Sequence, residues 1–383
     1  MNIREIVVKV TSSCNLNCKY CYIYNKGDNA YIYEPSVISE KTVEMLLKKI
    51  DSYCKEYKIP EVVIIFHGGE PLILGTRFYK NFITQAELIV KSTKLKYTLQ
   101  TNGTLLTVKN ISELTKLGIQ IGVSIDGSER ASENRIYRNS NRHSLKDAVN
   151  GYKLLLNNQP NAGILCVINT EIEPFEIYEY FKELGSKRYD LLVPETTYSN
   201  QDKAVNKLGD WLIKYYNIHK NDTSEVKPTI KIFDIIEDLI YGVETGNEQF
   251  GKRYNQAISI KTSGSIEPVD SLKICRNGIT FTSLNVHEND IKDIHNNELM
   301  VKYYNAHQDS VLCDKCKQCI IGYLCGGSQL AHRYSETNLF DNESAYCNDI
   351  IKLFIHIQNW LYNNDPIFKK NGIEPLTKAD FGL

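Results

Sequence analysis

The chain predicts an α/β fold: a partial (β/α)6 barrel of the TIM type, followed by a small cysteine-rich domain. Three observations lead there. Short β-branched runs recur with room for a helix between each pair, polar glycine-containing motifs follow those runs, and cysteines gather towards the two ends. At 383 residues the chain is long for a single compact core, so two domains are expected.

The runs that read as strands are residues 3–10 (IREIVVKV), 61–66 (EVVIIF), 96–100 (KYTLQ), 120–124 (QIGVS), 163–168 (GILCVI) and 189–193 (YDLLV). Helix-periodic segments lie between them at 40–57, 77–90, 108–117, 144–156 and 174–184, several opened by a Ser or Glu suited to a helix start. Gly118 stands in the C′ position of one of them. Strands alternating with helices build a parallel sheet, and such a sheet collects its chemistry at the carboxyl ends of its strands. There the chain carries CNLNCKYC (14–21), HGGEP (67–71), TNG (101–103), IDG (125–127) and PE (194–195). After about residue 220 the pattern changes. KNDTSEVKP (220–228) reads as a polar linker, 230–243 as a helix, and a cysteine-rich segment then runs to Cys347 before a closing helix over 348–363. The expected division is a barrel over 1–225, a linker with a helix over 226–265, the cysteine-rich domain over 266–350, and a C-terminal helix and tail over 351–383.

Hydrophobic residues at 42% and charged residues at 24% describe an ordinary globular protein. A net charge of −1 and the lack of a basic run provide no field to gather nucleic acid or an anionic membrane, so neither is an expected partner. No signal-peptide core and no long apolar stretch is present, which places the protein in the cytoplasm. Eleven cysteines in a reducing compartment suggest metal or iron–sulfur ligation rather than disulfides. Cys54 and Cys166 stand apart and read as inert buried thiols.

Cys14, Cys18 and Cys21 follow the spacing C-x3-C-x2-C. Three thiolates on a cubane iron–sulfur cluster leave one iron without a protein ligand, and an open coordination site is how a metal centre admits a substrate. The same three cysteines also suit part of a zinc site whose last ligand lies elsewhere. GGE, Asn102–Gly103 and Asp126–Gly127 are, singly, ordinary turn sequences; their order at successive strand ends is what carries information. His67 reads only as a loop-shaping residue.

With Tyr20 before its last cysteine, this loop resembles that of the radical S-adenosylmethionine superfamily. The resemblance implies that a [4Fe-4S] cluster chelates adenosylmethionine through its open iron and splits it to a 5′-deoxyadenosyl radical. It implies that Gly68, Gly69 and Glu70 bind the methionine amino group, with Thr101 and Asn102 on the neighbouring rim. Ser124 and Asp126 resemble the ribose and carboxylate contacts, Arg135 or Arg138 the arginine on the carboxylate, and Val193 a further cofactor contact at the end of the sixth run.

Cys316, Cys319, Cys325 and Cys347 form C-x2-C-x5-C with one distant cysteine, a closed set of thiolates. This resembles the SPASM extension of peptide-modifying members and implies at least one auxiliary [4Fe-4S] cluster; zinc is the competing reading. The extension's further cysteines are missing, with Gln329 in one of their places, so Cys275 and Cys313 alone remain for another auxiliary site. CYIYNKGD, EPVDSLKIC and CGGSQLAHRYS look most like maturases that install cyclophane crosslinks in ribosomally made precursor peptides. In that reading a β-carbon radical adds to an aromatic ring two residues upstream, an auxiliary cluster takes the electron and a base takes the proton. Asp270 is a candidate for that base, while His332 and Arg333 pin the loop around the cluster. The implied partners are the peptide and a reductant such as flavodoxin or ferredoxin. With its first cysteine at residue 14, the chain has no room for a separate leader-binding domain ahead of the barrel. Formylglycine formation, as in anaerobic sulfatase maturation, is the alternative chemistry, beside thioether formation or epimerisation. A non-catalytic iron–sulfur or zinc scaffold is the alternative of another class.

Overall fold

A computed structural model describes residues 1–140 and 142–382. Along the chain run β1 (Glu5–Thr11), α1 (Glu40–Tyr57), β2 (Glu61–Gly68), α2 (Gly75–Ile89), β3 (Lys94–Thr101), α3 (Val108–Lys116), β4 (Ile119–Ser124), α4 (Leu145–Leu156) and β5 (Ile164–Val167). There follow α5 (Pro174–Glu183), β6 (Arg188–Leu192), α6 (Leu208–Asn221), β7 (Thr229–Ile230), α7 (Lys231–Ile240), β8 (Ala257–Ile260), β9 (Ile266–Glu267) and α8 (Glu298–Tyr304). The cysteine-rich end holds α9 (Asp314–Lys317), α10 (Gly322–Cys325) and α11 (Cys347–Asn364). The expected α/β fold is present, and each predicted strand and helix has a counterpart with ends shifted by a residue or a few.

Contacts group the chain into two compact units, residues 1–166 with 256–304, and residues 167–255 with 305–383. This grouping differs from the expected division near residue 225. One reason is β8, which pairs in parallel with β1 (Glu5 beside Ala257) and so brings the end of the expected linker, from residue 256, into the first unit.

In the first unit the strand neighbours run β5-β4-β3-β2-β1-β8-β9, parallel except for the β8–β9 pair. Val8, Val10, Ile64 and Phe66 are buried completely in this sheet. Local signals set the helix ends. Ser39 accepts from Thr42 N to open α1, Thr107 and Asn110 exchange hydrogen bonds at the start of α3, and Gly118 takes φ +75° just past its end. The register of β1 against β2 slips between Lys9 and Thr11, a bulge that bends the chain out of the sheet into the cysteine loop.

In the second unit β6 and β7 pair in parallel, and α6 lies against α5 and α11. The carboxylate of Asp349, near the start of α11, accepts from Asn206 N and Gly209 N at 2.8 Å each and fixes the entry to α6.

One glycine tests how tightly the first unit is assembled. A Cβ on Gly69 would lie 2.1 Å from Ser13 O and 2.4 Å from the Tyr24 hydroxyl. Gly69→Ala is expected to cost about 1–3 kcal/mol through overpacking, seen as a lower midpoint in thermal or denaturant unfolding of the apoprotein. An unchanged midpoint would contradict the close approach.

Candidate active site

The three N-terminal cysteines sit on a loop held from both sides. On one side Asn17 N donates to Ile136 O (2.8 Å), Lys19 N to Asn134 O (3.1 Å) and Arg138 Nε to Cys14 O (3.2 Å). Within the loop Cys21 N donates to Cys18 O, and Leu16 N points at Cys14 Sγ at 3.4 Å. All three thiols are part-buried. Burial pushes Cys14 up to about 12 and raises Cys18 and Cys21, so thiolates form here only beside a strongly cationic centre. Among the described residues no three His, Cys, Asp or Glu side chains close on the small radius of a single ion. A donor set of three soft thiols fits an iron–sulfur cluster with one iron left open.

The HGGE loop after β2 forms the other wall. Gly69 N donates to Thr11 O and Glu70 N to Ser13 O, both at 2.9 Å. Gly68, at φ +147°, would set a Cβ 2.4 Å from Thr11 O. The two glycines thus let the backbone lie close against the root of the cysteine loop. The Glu70 carboxylate, fully buried, accepts from Leu72 N (3.0 Å), Thr101 Oγ1 (2.7 Å) and Asn102 N (2.8 Å). Burial raises its pKa and these donors oppose that rise. Glu70 therefore ties the loop after β2 to the loop after β3. Asn102 Nδ2 continues the tie by donating to Asn15 Oδ1 at 2.8 Å, inside the cysteine loop.

Tyr20, Asp126 and Arg135 form a buried chain of hydrogen bonds. The tyrosine hydroxyl donates to Asp126 Oδ2 at 2.5 Å and accepts from Arg135 Nη1 at 2.6 Å, with 3.8 Å between Nη1 and the carboxylate. Burial holds the tyrosine well above its ordinary pKa; Tyr20 and Asp126 hold the guanidinium charged in spite of its own burial. Ser124 Oγ, at the end of β4, accepts from Gln100 Nε2 at 2.9 Å. Arg138 braces the Cys14 carbonyl and lies over the Tyr24 ring, 5.0 Å from its centroid, so the two arginines of this segment have separate jobs. Val193 is buried just beyond β6, in the second unit.

Sequence reasoning missed a buried charge network in the first unit. Lys9 pairs with Asp270; Lys261 lies 3.3 Å from Asp270 and 4.0 Å from Glu267; Lys273 lies 2.7 Å from Asp28 and 3.9 Å from Glu267. His67 Nδ1 is 3.1 Å from Lys9 Nζ. The available signal was Lys9, a charge set between the buried Val8 and Val10 of β1. Burial favours a neutral Asp270, but Lys261, Lys9 and Lys273 outweigh it and hold the carboxyl well below the usual carboxylate range. A carboxylate so stabilised is a weak proton acceptor, and Asp270 anchors Lys9 and Lys261.

The second cysteine group lies wholly in the second unit. Cys316, Cys319, Cys325 and Cys347 line a cavity of about 420 Å³ together with Gly327 and Ile321. Gly322 packs at this site, where a Cβ would stand 2.7 Å from Cys316 O. The Cys313 thiol hydrogen-bonds that of Cys316, whereas Cys275 follows the 3-10 turn Asp270–Ile274 in the first unit. Four thiols around one cavity make a closed donor set, in contrast to the three of the N-terminal loop.

Two substitutions test this geometry. Tyr20→Phe removes both hydrogen bonds of its hydroxyl and is expected to weaken adenosylmethionine binding about tenfold with little loss of iron, as equilibrium dialysis would measure. His67 is pushed down to about 3 by burial and the Lys9 charge, so it stays neutral in the fold while its unfolded counterpart takes a proton near pH 6.5. Its contribution is complete above that value and is lost as pH falls towards 3, with a slope of up to about 1.4 kcal/mol per pH unit. Unfolding midpoints of His67→Gln between pH 7 and pH 4 should fall less steeply than those of the parent.

Comparison with known proteins places this geometry. Residues 8–188 match the model of the Radical SAM superfamily. An uncharacterized protein of Methanocaldococcus jannaschii (MJ0907) is 30% identical over 229 residues, 57% of this chain and 75% of that protein. The serine-type anaerobic sulfatase-maturating enzyme of Bacteroides thetaiotaomicron is 24% identical over 381 residues, covering 93% of this chain and 89% of that one. Among solved structures, native anSMEcpe with bound AdoMet and Cp18Cys peptide superposes with a TM-score of 0.79 at 20% identity, over 97% of this chain and 99% of that chain. The open set of three thiols, the buried rim of Tyr20, Asp126 and Arg135, and these likenesses have one conclusion: the chain belongs to the radical SAM superfamily and is an α/β enzyme that uses a [4Fe-4S] cluster and adenosylmethionine.

Proposed function

We propose that this enzyme is a peptide maturase that removes a hydrogen from a side chain of a ribosomally made precursor peptide and closes an intramolecular crosslink, aromatic ring carbon to β-carbon. The observation that carries it is the pairing of an open three-thiol loop with a separate, closed four-thiol cavity. Bound at Cys14, Cys18 and Cys21, the cluster with adenosylmethionine supplies a 5′-deoxyadenosyl radical for hydrogen abstraction. The chain's own residues do the positioning. Arg135 offers a buried positive charge beside Asp126 for the ends of the cofactor, and Tyr20 keeps the two in line. Burial of this rim withholds water from a reactive carbon radical. The peptide-bound relative supports a peptide as substrate.

Formylglycine formation is the second reading, favoured by full-length likeness to a sulfatase-maturating enzyme. Against it, the further cysteines of the extension that such maturation enzymes carry are missing from this chain, with Gln329 in one of their places. The cyclophane reading is the one adopted here.

The test is anaerobic reconstitution with iron and sulfide, then reductant, adenosylmethionine and candidate peptides, read by mass spectrometry. A product lighter by a pair of hydrogens with a new carbon–carbon link is expected; an aldehyde or its hydrate would replace this reading by formylglycine formation. Cys18→Ala should abolish 5′-deoxyadenosine while keeping the iron of the second site. Full production of 5′-deoxyadenosine by that variant would refute the assignment of the open cluster.

A further inference from the structure

Arg333 is buried completely, the largest such side chain among the described residues. Its Nη2 donates to Ala306 O at 2.7 Å, while Nε and Nη1 have no hydrogen-bond partner among the described residues. A guanidinium stays charged throughout the range in which proteins fold, and a buried charge without a counter-charge is strongly disfavoured. The thiols of Cys316, Cys325 and Cys313 act on this charge, while His307, also within its reach, is pushed down to about 4 by burial and by the guanidinium and so brings no counter-charge.

The guanidinium also points the right way. Gly327 lines the same cavity as Cys316, Cys319, Cys325 and Cys347, and a Cβ built on it would stand 3.3 Å from Arg333 Nη1. Residue 327 therefore puts no side chain between the guanidinium and the cavity, and Leu312 Cδ2 is the atom nearest to that spot. The arm is fixed in advance: the turn Leu330–Arg333 is held by Asn342 Nδ2 donating to Arg333 O at 2.8 Å, and the guanidinium by Ala306.

We propose that Arg333 is a positioning residue for electron transfer, the built-in counter-charge of the second cysteine site. Its free N–H groups donate to the sulfur atoms of an iron–sulfur cluster held by Cys316, Cys319, Cys325 and Cys347 and favour the reduced form of that cluster. One-electron reduction adds a negative charge and moves no atom, so a fixed cation within hydrogen-bond reach stabilises the product more than the reactant. The role rests on the reading that this cavity holds a cluster.

Redox titration of the reconstituted full-length holoenzyme, followed by electron paramagnetic resonance, tests it. Added adenosylmethionine alters only the signal of the cluster with an open iron and so separates the two. Arg333→Gln is expected to disfavour reduction of the other cluster at least tenfold, a fall in midpoint of about 59 mV for one electron, and Arg333→Lys, which keeps the charge, should fall less. Two clusters with an unmoved midpoint in Arg333→Gln would overturn the role alone. Zinc in the cavity, or iron for a single cluster per chain, would overturn the cluster reading and the role with it. Should Arg333→Gln lose its second cluster, the unsubstituted protein grown on arginine labelled in its guanidinium nitrogens decides. Hyperfine coupling of that nitrogen to the reduced cluster supports the role, and its absence overturns it.

Discussion

Two backbone hydrogen bonds, from Gly69 N to Thr11 O and from Glu70 N to Ser13 O, set where the cysteine loop leaves the sheet. They are possible only because residues 68 and 69 carry no side chain. Everything further out depends on them. With its root fixed, the loop can be pinned laterally by residues 134–138, and the Glu70 carboxylate can gather Leu72, Thr101 and Asn102 into one rigid rim. Such a site is preorganised by main-chain contacts, which hold a geometry more firmly than flexible side chains do.

The two cysteine sites differ in how the protein handles charge. At the N-terminal loop Arg135 is already engaged by Tyr20 and Asp126. In the second unit Arg333 is held only through Nη2. The lysine and carboxylate network around Asp270 balances itself, three cations against three anions by the pairs described. A buried charge needs its partner close by, and these three settings satisfy that need with a hydrogen-bonded triad, with sulfur, and with a closed set of ion pairs.

Much of this was legible from the residues. β-branched runs such as EVVIIF and helix starts such as Ser39 act locally, so they announce themselves in the chain. The cysteine spacings did the same, because a loop of fixed length must bring its thiols near one another. What stayed hidden depends on distant partners. The segment AISI of β8 is too short to read as a strand until β1 is beside it. Lys273 looks like a surface residue until Asp28 meets it from far along the chain. Nothing in GGE reveals that Thr101 and Asn102 donate to the Glu70 carboxylate.

The place of β8 bears on how the molecule is made. Glu5 pairs with Ala257, yet most of the chain between them contributes to the sheet or to another unit. As the nascent polypeptide leaves the ribosome, the outer side of β1 stays without its hydrogen-bonding neighbour until synthesis has passed β8. An unpaired strand edge is a template for wrong pairing, and the long loop that must close makes the correct pairing a late event. Chaperone demand should therefore be greatest in the interval when the first five strands are out and the strand that seals them is not.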